Sequence, residues 1–243
     1  MRNYLILLIL VILANISYTQ STAFVINLGP SIGSQRWDNS QRQTLFAYHA
    51  SLAVESVNTE DDKNSLLAQV GYHVKGSANR FNFIDPRGGF NITSQPFKFN
   101  NLSLLVGAKQ KFAFGPSGRF RYFYFGGIRG DYTLNTNLDE LNQSNDLLAN
   151  TGIYPDEGGV RHFIFGVTAG GGLQFELSDL IGAQISVSLN PDLTNQYYSG
   201  PIPNVIDPFT PGQTFTIPER RIRNTTLEIS IGLRLLRKVE YVE

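Results

Sequence analysis

Residues 163–190 read FIFGVTAGGGLQFELSDLIGAQISVSLN. Phe163, Phe165, Val167, Ala169, Leu173 and Phe175 alternate with Thr168, Gly170, Gly172, Gln174 and Glu176. After Ser178 to Leu180 the same rhythm resumes, with Ile181, Ala183, Ile185, Val187 and Leu189 against Gly182, Gln184, Ser186 and Ser188. A period of two marks a strand with one apolar and one polar face. This stretch therefore predicts two strands joined by a very short turn.

Working outward, the pattern recurs in eight segments: Ala23–Gln35, Thr44–Val57, Asn64–Gly76, Asn101–Phe114, Arg119–Leu134, Arg161–Leu177, Ile181–Asn190 and Asn224–Arg237. Their connections run long, short, long, short, long, short, long. The short ones are Asn58 to Lys63, Gly115 to Gly118 and Ser178 to Leu180; the long ones are Arg36 to Gln43, Ser77 to Asn100, Asn135 to Val160 and Pro191 to Arg223. Short turns on one rim and long loops on the other describe an up-and-down transmembrane barrel, with the short turns and both termini on the periplasmic side. An unpaired backbone group in hydrocarbon costs several kcal/mol, so a spanning sheet must close on itself. The apolar faces are then expected to point outward to lipid.

Composition agrees. The 243 residues carry 20 Lys+Arg and 20 Asp+Glu, which denies a nucleic-acid binder its basic field. There is no cysteine, so disulfides, thiolate metal sites and lipoprotein acylation are excluded. Arg2 and the apolar run Tyr4 to Ala14 have the layout of a secretory signal too short to span a bilayer. Cleavage is expected after Thr19, leaving one barrel domain over 20–243. Later apolar runs fall short of the ~20 residues a membrane helix needs. Aromatic side chains gather toward the turns (Phe112, Phe114, Phe120, Tyr122, Phe175) and toward the loops (Tyr132, Phe163, Tyr197, Tyr198), as interfacial belts would.

The stretches FVINLGPSIG at 24–33, LLVGAKQKFAF at 104–114, FYFGGIRGDY at 123–132, FIFGVTAGGGLQFEL at 163–177 and TLEISIGLRLL at 226–236 resemble the PorT-like outer-membrane β-barrel proteins. That resemblance implies the outer membrane of a Gram-negative bacterium as address, and no activity. The last strand looks like the segment that barrel-insertion machinery reads, although RKVEYVE follows it where an aromatic end is usual.

The polar faces hold the candidate site residues. An eight-stranded barrel is just wide enough for side chains to fill. Inward charges are therefore expected to pair across the lumen. Strand direction groups Glu55, Lys111, Arg121, Glu176 and Arg234 near the turn end as a structural salt-bridge cluster. His49 and His73 fall at similar height on adjacent strands, as a hydrogen-bonded pair that lacks an evident third metal ligand. Gly170 to Gly172 lies inside a strand, with neither the helix nor the lysine of a phosphate loop after it. His162, Asp131 and loop serines such as Ser144 lie toward the loop rim without a motif that binds them into a catalytic set.

These features describe a non-enzymatic integral outer-membrane barrel with a filled polar lumen, no cofactor and no nucleic-acid partner. Its loops bind an extracellular or envelope partner or support the envelope, and its surroundings are outer-membrane lipid. Two alternatives stand beside it: a membrane-embedded enzyme acting at the extracellular rim, and a soluble lipocalin-like periplasmic barrel with its apolar faces turned inward.

Overall fold

The computed structural model describes residues 21–37, 42–57, 63–84, 90–114, 119–141, 155–207, 210 and 212–237. The expected signal segment, the residues after Arg237 and Ser144 lie outside these residues.

Eight long antiparallel strands form the body: β1 (Ser21–Trp37), β2 (Gln43–Val57), β3 (Asn64–Ile84), β4 (Phe90–Phe114), β5 (Phe120–Thr136), β6 (Phe163–Glu176), β7 (Ile181–Pro191) and β11 (Arg220–Arg237). Each pairs with its neighbour in sequence, β7 pairs with β11, and β11 returns to β1 from Thr22↔Arg237 to Trp37↔Ile222. The sheet is closed. Every segment expected from the period-two reading is present. The first contact between chain ends, β1 with β11, leaves no free edge along the body.

The faces sort as alternation requires. Phe24, Ile26, Leu28, Leu52, Leu104, Ile128, Phe163, Phe165, Val187, Ile231 and Leu233 project outward and are exposed, Ile128 and Phe163 by 70% or more. Between them, Asn27, His49, Glu55, His73, Lys75, Lys109, Lys111, Arg129, Asp131, Glu228 and Arg234 are buried in the interior. The inward-apolar arrangement of a soluble lipocalin-like barrel is not adopted. A small apolar cluster of Val25, Ala53, Leu67 and Leu105, with Phe125 against it, lies among them in the interior.

Two long connections differ from the loop reading. Ser77 to Asn100 is largely strand: β3 and β4 stay in register from Asn64↔Gln110 to Ile84↔Phe90, so the pair continues well past the other strands. Gly76 makes this possible, with φ +154° and its Cα face against the Phe97 carbonyl. The connection 191–223 contains β8 (Tyr197–Ser199), which adds to β11, and a separate hairpin of β9 (Ile202–Ile206) and β10 (Thr214–Ile217). A 3-10 turn spans Glu157–Gly159.

The loop end has an apolar core of its own. Phe97, Phe99, Leu138, Leu141, Tyr197 and Ile222 are buried together, with Trp37 and Val160 packed against them. Trp37 meets Phe97 edge-on at 5.3 Å, and the Arg42 guanidinium lies 3.6 Å from the Trp37 ring centroid. Tyr197, expected in the outer aromatic belt, is instead part of this cap, because β8 turns it inward opposite Ile222. Tyr132 and Phe163 do neighbour one another on the outside, at 4.9 Å.

Candidate functional site

The interior is a stack of polar layers set by the strands. At the turn end, β2 supplies Glu55, β4 supplies Lys109 and Lys111 two residues apart on one face, and β11 supplies Arg234. Lys109 Nζ donates to Glu55 Oε1 at 2.6 Å, and Glu55 Oε2 lies 3.3 Å from Lys111 Nζ and 3.8 Å from Arg234 Nε. Lys109 also donates to Gln184 at 3.0 Å and sits 3.9 Å over the Phe123 ring. The expected five-residue cluster is thus brought together in part. Glu55, Lys111 and Arg234 meet, joined by Lys109. Arg121 and Glu176 pair with each other at 3.3 Å where both side chains are partly exposed.

Above this, His49 and His73 face each other as direct cross-strand partners, ring centroids 5.9 Å apart and 12° from parallel. His49 Nε2 is 2.8 Å from Ser230 Oγ, and His73 Nδ1 bonds Glu228. Ser188 Oγ reaches the second Glu228 oxygen at 3.5 Å. Among the described residues no group of three or more metal-ligating side chains is assembled.

The next layer is a closed ring of two cations and two carboxylates. Lys75 Nζ donates to Asp131 at 2.6 Å and Asp192 at 2.8 Å; Arg129 donates to the same two at 2.9 and 2.5 Å. All four side chains are almost fully buried. Glycine at 166 leaves the space that the Arg129 guanidinium fills. Buried charge is tolerable only when paired and hydrogen-bonded, and alternating signs around a ring meet that condition. Asp192 was not singled out by the sequence, although it falls two residues after Asn190 on the same alternating face.

A relay of neutral groups lies beneath the cap. Ser77 donates to Gln35 (2.6 Å), Gln35 to Asn224 (2.9 Å), Asn224 to Gln196 (2.8 Å), Gln196 to Thr133 (2.6 Å) and Thr133 to Asn101 (2.8 Å). Below it, an interior cavity of about 40 Å³ touches His49, His73, Glu55, Lys109, Arg129 and Glu228. That is room on the order of a few waters.

The rim residues considered for chemistry are engaged separately. Asp131 belongs to the buried ring, whereas His162 Nδ1 lies 3.0 Å from the Thr133 carbonyl and its ring stacks on Tyr132.

A closed antiparallel barrel, apolar outside and charged inside, has the construction of an outer-membrane β-barrel. No protein-family model matches the chain, and no curated protein matches its sequence. Similar solved structures include the outer membrane protein OprG from Pseudomonas aeruginosa, at 10% identity and TM-score 0.46 over 89% of this chain and 97% of that one. Neisserial surface protein A is similar at 9% identity and TM-score 0.42, covering 88% and 96%. Ail, the attachment invasion locus protein of Yersinia pestis, is similar at 10% identity and TM-score 0.40, covering 89% and 100%. At these identities the similarity concerns the course of the chain alone.

Proposed function

We propose that this protein is a non-enzymatic integral barrel of a Gram-negative outer membrane, with a filled interior and loops that bind a partner or support the envelope. The observation that carries this reading is the inversion of faces. An outward surface of Phe, Leu, Ile and Val around the whole wall far exceeds the apolar patches a soluble protein exposes. Lipid is the solvent such a surface fits. Strands of this length also suffice for a tilted crossing. The five stretches quoted above support the finer reading, kinship with the PorT-like barrels.

Three features support an interior that holds the wall rather than a pore. They are the buried charge ring, the Glu55 cluster and the apolar cap, with a small cavity among them. Insertion machinery is the assembly partner this reading requires.

Cell fractionation followed by gel mobility with and without boiling tests the membrane reading. Outer-membrane recovery and heat-shifted migration are expected, and recovery in the soluble periplasm would overturn it. Bilayer recording tests the filled interior. A steady open conductance from the purified chain would refute it.

A further inference from the structure

We propose that the outer wall beside the β1–β11 seam binds the phosphorylated headgroup of an outer-leaflet lipid through Arg36, Arg223, Arg221 and Arg161. This rests on the membrane reading above.

The patch follows from register. Along the seam the outward pairs are Phe24↔Leu235, Ile26↔Leu233, Leu28↔Ile231 and Ile32↔Leu227, then Ser34↔Thr225, then Arg36↔Arg223. Two outward pairs beyond the apolar Ile32↔Leu227, two arginines therefore stand side by side on neighbouring strands. Gln35 and Asn224, one residue away, are buried inside, so both arginines face out. Like charges directly opposite each other on a sheet are destabilising. Among the described residues no carboxylate pairs with Arg36 or Arg223; Arg223 Nε donates to the neutral Asn195 at 2.7 Å.

The patch continues onto the next segments. Arg221 lies opposite Tyr198 of β8, and the guanidinium groups of Arg221 and Arg161 lie 6.0 and 5.4 Å from the Tyr198 ring centroid. Glu219 is bonded to Arg221. Four arginines on three neighbouring segments, β1, β11 and the stretch before β6, thus gather beyond the apolar part of the wall.

Whatever occupies this wall must be apolar below and anionic above. Arginine's planar fork suits phosphate oxygens, which it grips with two parallel hydrogen bonds. A phosphate-bearing lipid meets both conditions together. A free soluble phosphate meets only the second.

The test uses the full chain in detergent and three probes: a bis-phosphorylated lipid A, the same lipid A dephosphorylated, and sodium pyrophosphate. Titration calorimetry should show wild-type binding to the phosphorylated lipid, weakening several-fold as salt is raised to screen the patch. The Arg36→Gln/Arg223→Gln double variant should bind at least tenfold more weakly, and Arg119→Gln at the opposite rim should bind as wild type. Equal binding by the double variant, or equal binding of dephosphorylated lipid, would overturn the proposal. Binding of pyrophosphate as tight as that of the phosphorylated lipid would replace the lipid by a soluble anion and overturn it too. Heat-shifted migration of each variant monitors the barrel itself. Its absence in the wild type would sink the membrane reading, whereas weak binding by a heat-shifted barrel sinks only the headgroup site.

Discussion

The imidazoles of His49 and His73 lie face to face at 5.9 Å, each tied across the interior to β11, one through Ser230 and the other through Glu228. The pair fastens β2 and β3 to β11, the strand beyond β1, across the interior. Replacing Glu228 by Ala strands the His73 Nδ1 group in the interior. The expected loss is about 2–4 kcal/mol, the range for orphaning a buried charged or polar partner. Urea unfolding in micelles measures it, and an unchanged midpoint would show that the histidines hold without their carboxylate.

In the Lys75–Asp131–Arg129–Asp192 ring each charge has two opposite neighbours. Lys75→Met should cost about 3–5 kcal/mol, because two carboxylates then share one cation. Combining it with Asp192→Asn should cost less than the sum of the two single changes, with a coupling of roughly 1–3 kcal/mol. Strict additivity in a double-mutant cycle would mean the ring does not act as a unit.

Two glycines should answer substitution oppositely. A Cβ at Gly76 would run into the Phe97 carbonyl, and φ there is +154°, whereas one at Gly130 meets nothing within 4 Å. Gly76→Ala should destabilise by more than about 1 kcal/mol and Gly130→Ala by little. Comparing heat-shifted fractions after refolding decides it; similar yields would contradict the close approach of β3 and β4.

The cap stands at the loop end, beyond the apolar wall, so its loss should be local. Phe97→Ala removes a fully buried ring from the cluster with Leu138, Tyr197 and Ile222, a change that typically costs about 3–5 kcal/mol. Loop cleavage by added protease should accelerate while heat-shifted migration persists. A variant that loses the barrel band outright would show that the cap and the wall fold as one unit.

The cap should also loosen in alkali. Burial, reinforced by the nearby Asp156 carboxylate, raises the Tyr197 phenol above its ordinary value. A raised acid stabilises the fold fully below the unfolded value, about 10, and that contribution is lost as pH climbs through the folded one. Loop protection from protease should therefore fall above about pH 10 in the wild type, and less steeply in Tyr197→Phe. Identical pH profiles would remove Tyr197 from the cause.

The wall was legible because one rule governs it. Alternation in stretches such as Ile181–Asn190 and Asn224–Arg237 gave both strand and face, and the turn lengths gave the order. Partners across the interior were less legible. Lys109, not Arg121, meets Glu55, since strand tilt and stagger decide which inward residues share a level, and alternation carries no information on stagger. The upper part of β3 and β4 was hidden by polar, Pro-containing sequence that reads as loop. Phe97 and Phe99 alternate at the upper end of β4, but their partners Leu138, Leu141, Tyr197 and Ile222 come from segments far apart in the chain, and a local period does not reveal such pairings.

The β1–β11 seam also orders events in time. Every other strand pair in the wall up to β7 joins neighbours along the chain, so those hairpins can form one after another with little loop to close. Thr22↔Arg237 joins residues at opposite ends of the wall. Its entropic penalty falls due only when the last strand is available, and until then β1 keeps an unpaired edge. The vulnerable interval in the life of this protein is therefore the wait for its final strand, and a chain truncated within Arg220–Arg237 would remain an open sheet.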